Sequence, residues 1–452
     1  MLILVGAAIG VLLLDLWGVG AQRLAWLALT GLVVAPALDL IVLFSGQGGS
    51  VQGMLIGDGP GTLWTLFFCS VSVVSILIEL GQEATPTRPR RGSDLALILL
   101  GVTSAMVVAR ATHLLSLLLG LAMLYLALDA LSGANVAWRY FVVHGVGLGH
   151  FLFGAALLYG ATGAWFLNLM AERLNSQPGG ESNPLALLGL GLILGGVLIP
   201  LGILCPRPGD KASGAPLGLL RATILSGAAI AALGRLVGVL YAPHLALLSI
   251  LGTLLFGTGH LVAWRARTPG DVLRGIALTT PGLSIIVLVA AFQRGQADGW
   301  GLVFYTLFGG SAGLLGLGTV ITALDPGASF GDLAALRRRH PWVAAVAILC
   351  LLSLAGAPPT AGALGVWRFF QIAAADGNRW RIGATMVGLC AAWLSSGRWI
   401  AAMCQDSTPE QPSTPIAAES LAALLILASA ILFGGLNFEA IANYFTQIVA
   451  GP

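Results

Sequence analysis

Asp129 falls inside one long apolar stretch of this 452-residue chain, and His144 and His150 fall inside the next. Arg221 and Arg368 lie inside two more such stretches. An ionisable side chain at membrane depth is costly to keep and by default points to a proton or ion path. A proton relay needs groups whose pKa burial can bring near neutrality, which histidine, lysine and glutamate allow. Arginine stays protonated and supplies only fixed charge. The sequence holds a single lysine, Lys211, in a link between apolar stretches, so 21 of its 22 basic residues are arginines and cannot carry protons. Histidines six residues apart are separated by about 600° of helical rotation, roughly 240° net, so His144 and His150 do not share a face and make a poor local relay. Two uses remain open for these groups: ion pairs and hydrogen bonds between helices, or a proton path through Asp129 and a histidine. Asp39 and Glu79 lie near the ends of apolar stretches, where carboxylates reach headgroups or water.

The elements that position these groups follow from composition. The chain is 57% hydrophobic and 9% charged, whereas a soluble domain carries about 25% charged residues. So few charges cannot cover a water-facing surface, and the bilayer must be the solvent for most of the chain. The first 26 residues lack a basic leader, and Asp15 interrupts their apolar run, so they read as a retained span. Cys69, Cys205, Cys350, Cys390 and Cys404 are scattered without a CxxC pair, which argues against a zinc or iron–sulfur centre. A net charge of +3 gives no electrostatic reason to expect nucleic acid. The 62 glycines read as close helix packing, since no phosphate-binding loop accompanies them.

Windows of about 20 apolar residues occur near 2–19, 24–45, 61–80, 94–110, 113–132, 136–160, 185–204, 216–240, 244–264, 271–293, 299–324, 341–374, 380–404 and 416–436. These fourteen predict an all-α integral membrane protein, a single polytopic domain over residues 1–452. The stretches 82–94 and 172–184 read as the clearest loops. Thirteen basic residues fall in links after odd-numbered windows and six after even-numbered ones. The positive-inside rule then places both termini outside the cytoplasm.

Two windows are interrupted. In 352-LSLAGAPPTAGALGVW-367, Pro358 and Pro359 remove two backbone donors in the middle of a span. A second interruption lies around Pro200 in 199-IPLGILCPRPGDKASGAPLG-218, before and at the entry of the eighth window. A break in hydrocarbon is expected only where it is buried in protein or lines a wet cavity. Paired breaks point to an ion or substrate path between repeats; the competing reading is a packing kink. Hydropathy and break positions suggest one repeat region near 61–240, a second near 244–404, and a last helix at 416–436.

The residues of the break at Pro358 and Pro359, LSLAGAPPTAGALGVWRFF (352–370), resemble the PPTAG motif of the antiporter-like membrane subunits of respiratory complex I, above all the subunit N type. In the same order, LLSLLLGLAMLYLALDAL (114–131), WRYFVVHGVGLGHFLFGAALLYGATG (138–163) and HLVAWRARTPGDVLRGIALTTPG (260–282) are similar to further motifs of that family. The likeness spans essentially the whole chain. It implies fourteen helices with two inverted five-helix repeats and discontinuous helices, and it marks Pro358, Pro359, Thr360, Gly362 and Pro200 as the helix-break motif.

The resemblance also implies a relay that this sequence lacks. The family's fifth-span glutamate falls on Ala122, and its seventh-, eighth- and twelfth-span lysines fall on Pro200, Ser226 and Val366. Asp129, His144, His150, Arg221 and Arg368 are the charged groups left at depth, with Arg368 two residues from the Val366 position. The expectation is a membrane-arm subunit of a complex I-like NAD(P)H- or ferredoxin–quinone oxidoreductase in the cell inner membrane. It would be surrounded by lipid and by other membrane subunits, with no cofactor of its own and a structural or coupling role. The alternatives are a subunit of an Mrp-type cation/proton antiporter with a rerouted proton path, and a membrane scaffold without transport.

Overall fold

A computed structural model describes residues 1–46, 48–81, 92–132, 134–176, 183–203, 215–293, 299–324, 330–334, 336–375, 377, 379–405 and 416–450. The described residues form helices α1 (Leu2–Leu16), α2 (Ala21–Phe44), α3 (Gly59–Leu80), α4 (Gly92–Arg110), α5 (Leu114–Ala130), α6 (Ala134–Thr162), α7 (Leu167–Ser176), α8 (Pro184–Leu198) and α9 (Ala215–Leu236). They continue as α10 (Ala242–Arg265), α11 (Pro269–Gln293), α12 (Gly299–Leu324), α13 (Phe330–Ala334), α14 (Leu336–Arg339) and α15 (Pro341–Leu354). The series ends with α16 (Ala361–Ala375), α17 (Arg379–Cys404), α18 (Ala418–Leu436) and α19 (Phe438–Ala450). Strands β1 (Ser50–Val51) and β2 (Leu55–Ile56) make a short antiparallel hairpin with Ser50 opposite Ile56.

Each of the fourteen apolar windows carries a helix. Eleven helices among the described residues are long and apolar enough to cross a membrane, and α1, α5 and α15 are shorter apolar helices. The chain is a multi-pass, all-α membrane protein.

Helix starts are fixed locally. The Asp58 carboxylate accepts from the Gly61 amide at 2.9 Å and caps α3, with Pro60 in its first turn. Asn183 caps α8 through the Leu185 and Ala186 amides. These side chains satisfy donors that would otherwise be orphaned at a helix N-terminus.

Small residues set the closest helix contacts. A Cβ on Gly154 of α6 would lie 2.5 Å from the Gly189 carbonyl of α8, and one on Gly259 of α10 would lie 2.7 Å from the Gly275 carbonyl of α11. Only glycine permits backbones to approach this closely.

Two features differ from expectation, and part of a third expectation lies outside the described residues. The stretch 172–184 is not wholly a loop, because α7 runs to Ser176 with Leu167, Met170 and Leu174 buried along one face. Residues 82–91 of the other expected loop lie outside the described residues, as do Cys205 and Lys211. The β hairpin and α19 follow no apolar window: the strands are two residues each, and α19 mixes polar and apolar positions.

Both interruptions are present. The seventh window leaves α-helix at Leu198 and continues as a 3-10 turn over Ile199–Ile203, with Pro200 buried. A Cβ on Gly147 of α6 would sit 3.2 Å from the Pro200 ring, so this break is seated against α6. The twelfth window divides into α15 and α16.

At that division Pro358 and Pro359 are exposed, whereas Thr360, Gly362 and Val366 are buried. The break is therefore not enclosed as a whole. Its polar groups close on each other: the Thr360 amide and hydroxyl both donate to the Ala357 carbonyl, at 3.1 and 2.6 Å. Ser353 Oγ donates to the Gly309 carbonyl at 3.2 Å and accepts from the Gly362 amide at 3.3 Å. The two residues left outside are prolines, which have no N–H to leave unpaired.

Candidate functional site

Asp129 ends α5, His144 lies in α6 and Arg221 lies near the start of α9. The fold joins all three. Asp129 Oδ2 meets His144 Nδ1 at 2.8 Å, and Asp129 Oδ1 accepts from Arg221 Nη2 at 3.1 Å. Arg221 Nη1 donates to Ser132 Oγ at 2.5 Å, and Ser132 Oγ donates in turn to the Leu128 carbonyl at 2.9 Å. The Arg221 guanidinium lies 3.4 Å from the centroid of the Tyr140 ring, a cation–π contact. His144 stacks on Tyr125 with ring centroids 4.3 Å apart. All six side chains are buried, with residue exposures of 2–8%.

The charges balance inside the cluster. Arg221 is fixed at +1, Asp129 as carboxylate is −1, and a neutral His144 completes a site without net charge. Asp129 can only accept, so the geometry suits the His144 tautomer that donates from Nδ1. His144 Nε2 is then an acceptor, and it is buried with no hydrogen-bond partner. The arrangement is well made for pinning three helices. Among the described residues, no hydrogen bond leads on from His144 Nε2.

The other candidates stand apart. His150 Nδ1 meets the Val146 carbonyl of its own helix at 2.8 Å. Arg368 is exposed and donates to Gln371 Oε1 at 3.1 Å, while Val366 is buried. The Arg368 charge thus lies off the face that holds the relay position. Of the remaining relay positions, Ser226 and Pro200 are buried and Ala122 is half-buried.

Ser132, Tyr125 and Tyr140 were not anticipated as site members. Tyr125 precedes Asp129 by four residues and Tyr140 precedes His144 by four, spacings that place each pair on one helix face. That spacing was the available signal.

A second set of ion pairs joins helix ends. Arg235 of α9 holds Asp58 in a bidentate pair at 2.6 and 2.8 Å and donates from Nε to the Ala109 carbonyl at 2.7 Å. Arg110 of α4 pairs with Asp39 of α2 at 2.5 Å and donates to Thr65 Oγ1 at 3.1 Å. Asp39 therefore binds a protein cation, where headgroups or water were expected. Among the described residues, no group of three or more His, Cys, Asp or Glu side chains is placed to hold a metal ion.

Comparisons with known proteins complete the picture. Residues 111–394 match the family described as NADH:quinone oxidoreductase/Mrp antiporter, TM. The chain is 28% identical over 387 residues to NADH-quinone oxidoreductase subunit N of Trichlorobacter lovleyi, covering 79% of this chain and 76% of that protein. It superposes on a chain of respiratory complex I from Thermus thermophilus, solved with bound Aureothin, with a TM-score of 0.81 and 25% identity over 100% of this chain and 99% of that one. A chain of the Mrp complex from Dietzia sp. shares the fold at a TM-score of 0.80 and 15% identity, covering 99% of this chain and 96% of that one.

Proposed function

The chain belongs to the NADH:quinone oxidoreductase/Mrp antiporter transmembrane family, and from that premise we propose that it is a membrane-arm subunit of a complex I-like quinone oxidoreductase whose own proton relay is closed. In this reading it holds its place among other membrane subunits in the cell inner membrane, both termini outside the cytoplasm. Its role is structural or coupling, and redox cofactors reside in partner subunits.

The observation that carries the proposal is the state of the buried charges. The acid at the cluster, Asp129, has both oxygens engaged by Arg221 and His144. The four positions that match the family's relay hold Ala122, Pro200, Ser226 and Val366, none of which titrates near neutrality. Closing a proton wire requires only such substitutions, while the helix contacts persist.

The internal repeat is part of the same proposal, and the neighbour pattern supports it. α4 packs on α5 as α10 packs on α11, α5 on α6 as α11 on α12, and α4 on α9 as α10 on α17. α6 packs on the interrupted α8 as α12 packs on the interrupted α15–α16 pair. A Cβ on Gly309 of α12 would lie 2.7 Å from the Gly362 amide of α16, a glycine contact like that of Gly154 with Gly189.

The test is proton pumping by the whole purified complex in proteoliposomes. Asp129→Asn and His144→Ala are expected to leave H⁺/e⁻ at the wild-type value. A lower ratio with assembly and electron transfer intact would mean that a rerouted path runs through the cluster. The likeness to the Mrp complex chain favours a second reading, a cation/proton antiporter subunit. Sodium-dependent proton exchange by the reconstituted assembly, lost in the same two variants, would select it over the first.

A further inference from the structure

A cleft of about 340 Å³ opens between α2, α3, α12 and α18, away from the charged cluster. Leu32, Cys69, Leu315 and Leu427 line its depth, and Val33 and Ile426, both exposed, flank its mouth. Its walls are hydrocarbon apart from a few groups. Ser70 Oγ is already spent on the Leu66 carbonyl at 2.6 Å. Ser311 is different: it is 1% exposed, it lines the cleft, and its hydroxyl has no hydrogen-bond partner among the described residues. Leu32, another lining residue, supplies a second polar group. Pro36 has no N–H, so the Leu32 carbonyl four residues earlier on the same wall lacks its helical donor.

A buried hydroxyl and a carbonyl freed of its donor are each costly to leave unpaired. A space of this size also falls within the about 300–1,000 Å³ typical of small-molecule sites. Water is a poor occupant, because a water needs two to four polar partners and most of these walls offer none. The depth restricts the occupant further. Leu32, Cys69, Ser311 and Leu427 sit near the middles of their four helices. The hydrocarbon core is about 30 Å thick, so a phospholipid's polar headgroup cannot reach them.

We infer that this cleft binds an uncharged apolar molecule bearing one hydroxyl group, dissolved in the bilayer core. Its hydroxyl oxygen accepts from Ser311 and its hydroxyl hydrogen is donated to the Leu32 carbonyl. Its apolar body fills the space between Cys69, Leu315 and Leu427.

The experiment uses membranes containing the full-length protein in its native assembly and a photoactivatable octanol carrying a diazirine. Labelled peptides are mapped by mass spectrometry. Adducts are expected in 69–74 and 308–315, with 1-octanol competing at least fivefold better than octane. Ser311→Ala is expected to lower labelling about fivefold, the loss of one hydrogen bond. Val33→Phe, a change at an exposed mouth position that leaves the interior untouched, is expected to abolish it. Equal competition by octane and 1-octanol with no effect of Ser311→Ala would overturn the proposal, since the cleft would then hold only acyl tails. Absence of adducts in both segments, with other membrane-facing segments labelled, would overturn it as well.

Discussion

Asp129 shows why replacing one member of a buried ion pair differs from replacing both. Arg221→Ala would strand the carboxylate among Tyr125, Tyr140 and His144, and breaking a buried pair in this way costs about 3–5 kcal/mol. Asp129→Leu would strand the guanidinium at a similar cost. The double variant Asp129→Leu/Arg221→Met removes both charges and is expected to unfold closer to wild type than either single variant. Thermal unfolding of the purified protein in detergent checks the order; additive losses would show that the two side chains act independently. At this scale the sequence was half legible. Asp129, His144 and Arg221 could be singled out because charge at membrane depth is conspicuous. Their union could not, because Asp129 and His144 are 15 residues apart and Asp129 and Arg221 are 92 apart, on three different helices. Helical periodicity assigns a residue to a face and says nothing of which distant helix that face meets.

Among elements, the divided twelfth span was read from Pro358 and Pro359 alone, since two adjacent prolines cannot continue a helix through a membrane. Its surroundings were less legible. Beside the exposed prolines the hydrogen bonds are made by Ser353 and Thr360, whose small polar side chains are common in membrane helices. α18 closes on this turn so tightly that a Cβ on Gly435 would clash with the Pro359 carbonyl. Gly435→Ala must therefore push α18 away from the break. Overpacking of this kind costs about 1–3 kcal/mol, and a lowered melting temperature is expected. Gly397→Ala, on α17 with nothing near its added methyl, serves as the control and is expected to be neutral or slightly stabilising.

For the whole molecule, composition and window spacing were enough for a multi-pass helical bundle, and the motif order was enough for the family. The hairpin and α19 escaped because neither is an apolar window. The distribution of arginines now has a finer reading. Arg110, Arg173 and Arg235, three of the six on the minority side, are each engaged by the protein: by Asp39, by the Thr162 carbonyl at 2.6 Å and by Asp58. They act as bolts for helix ends. With native cysteines replaced by serine, Thr268→Cys should react with an impermeant maleimide only from the cytoplasmic side and Ser50→Cys only from the opposite side. Both positions are exposed, and the reverse pattern would invert the topology.

The Asp58–Arg235 bond also imposes a schedule on synthesis. The two residues are 177 positions apart. At about 5–20 residues per second, the ribosome adds Arg235 roughly 10–35 s after Asp58. Throughout that interval the α3 cap is in place without its cation, and α4 through α8 enter the membrane beside an unclosed end. A nascent chain stalled before residue 235 is therefore a bundle with one latch still open, and protease access to the 50–58 segment should fall once translation has carried residue 235 clear of the ribosome.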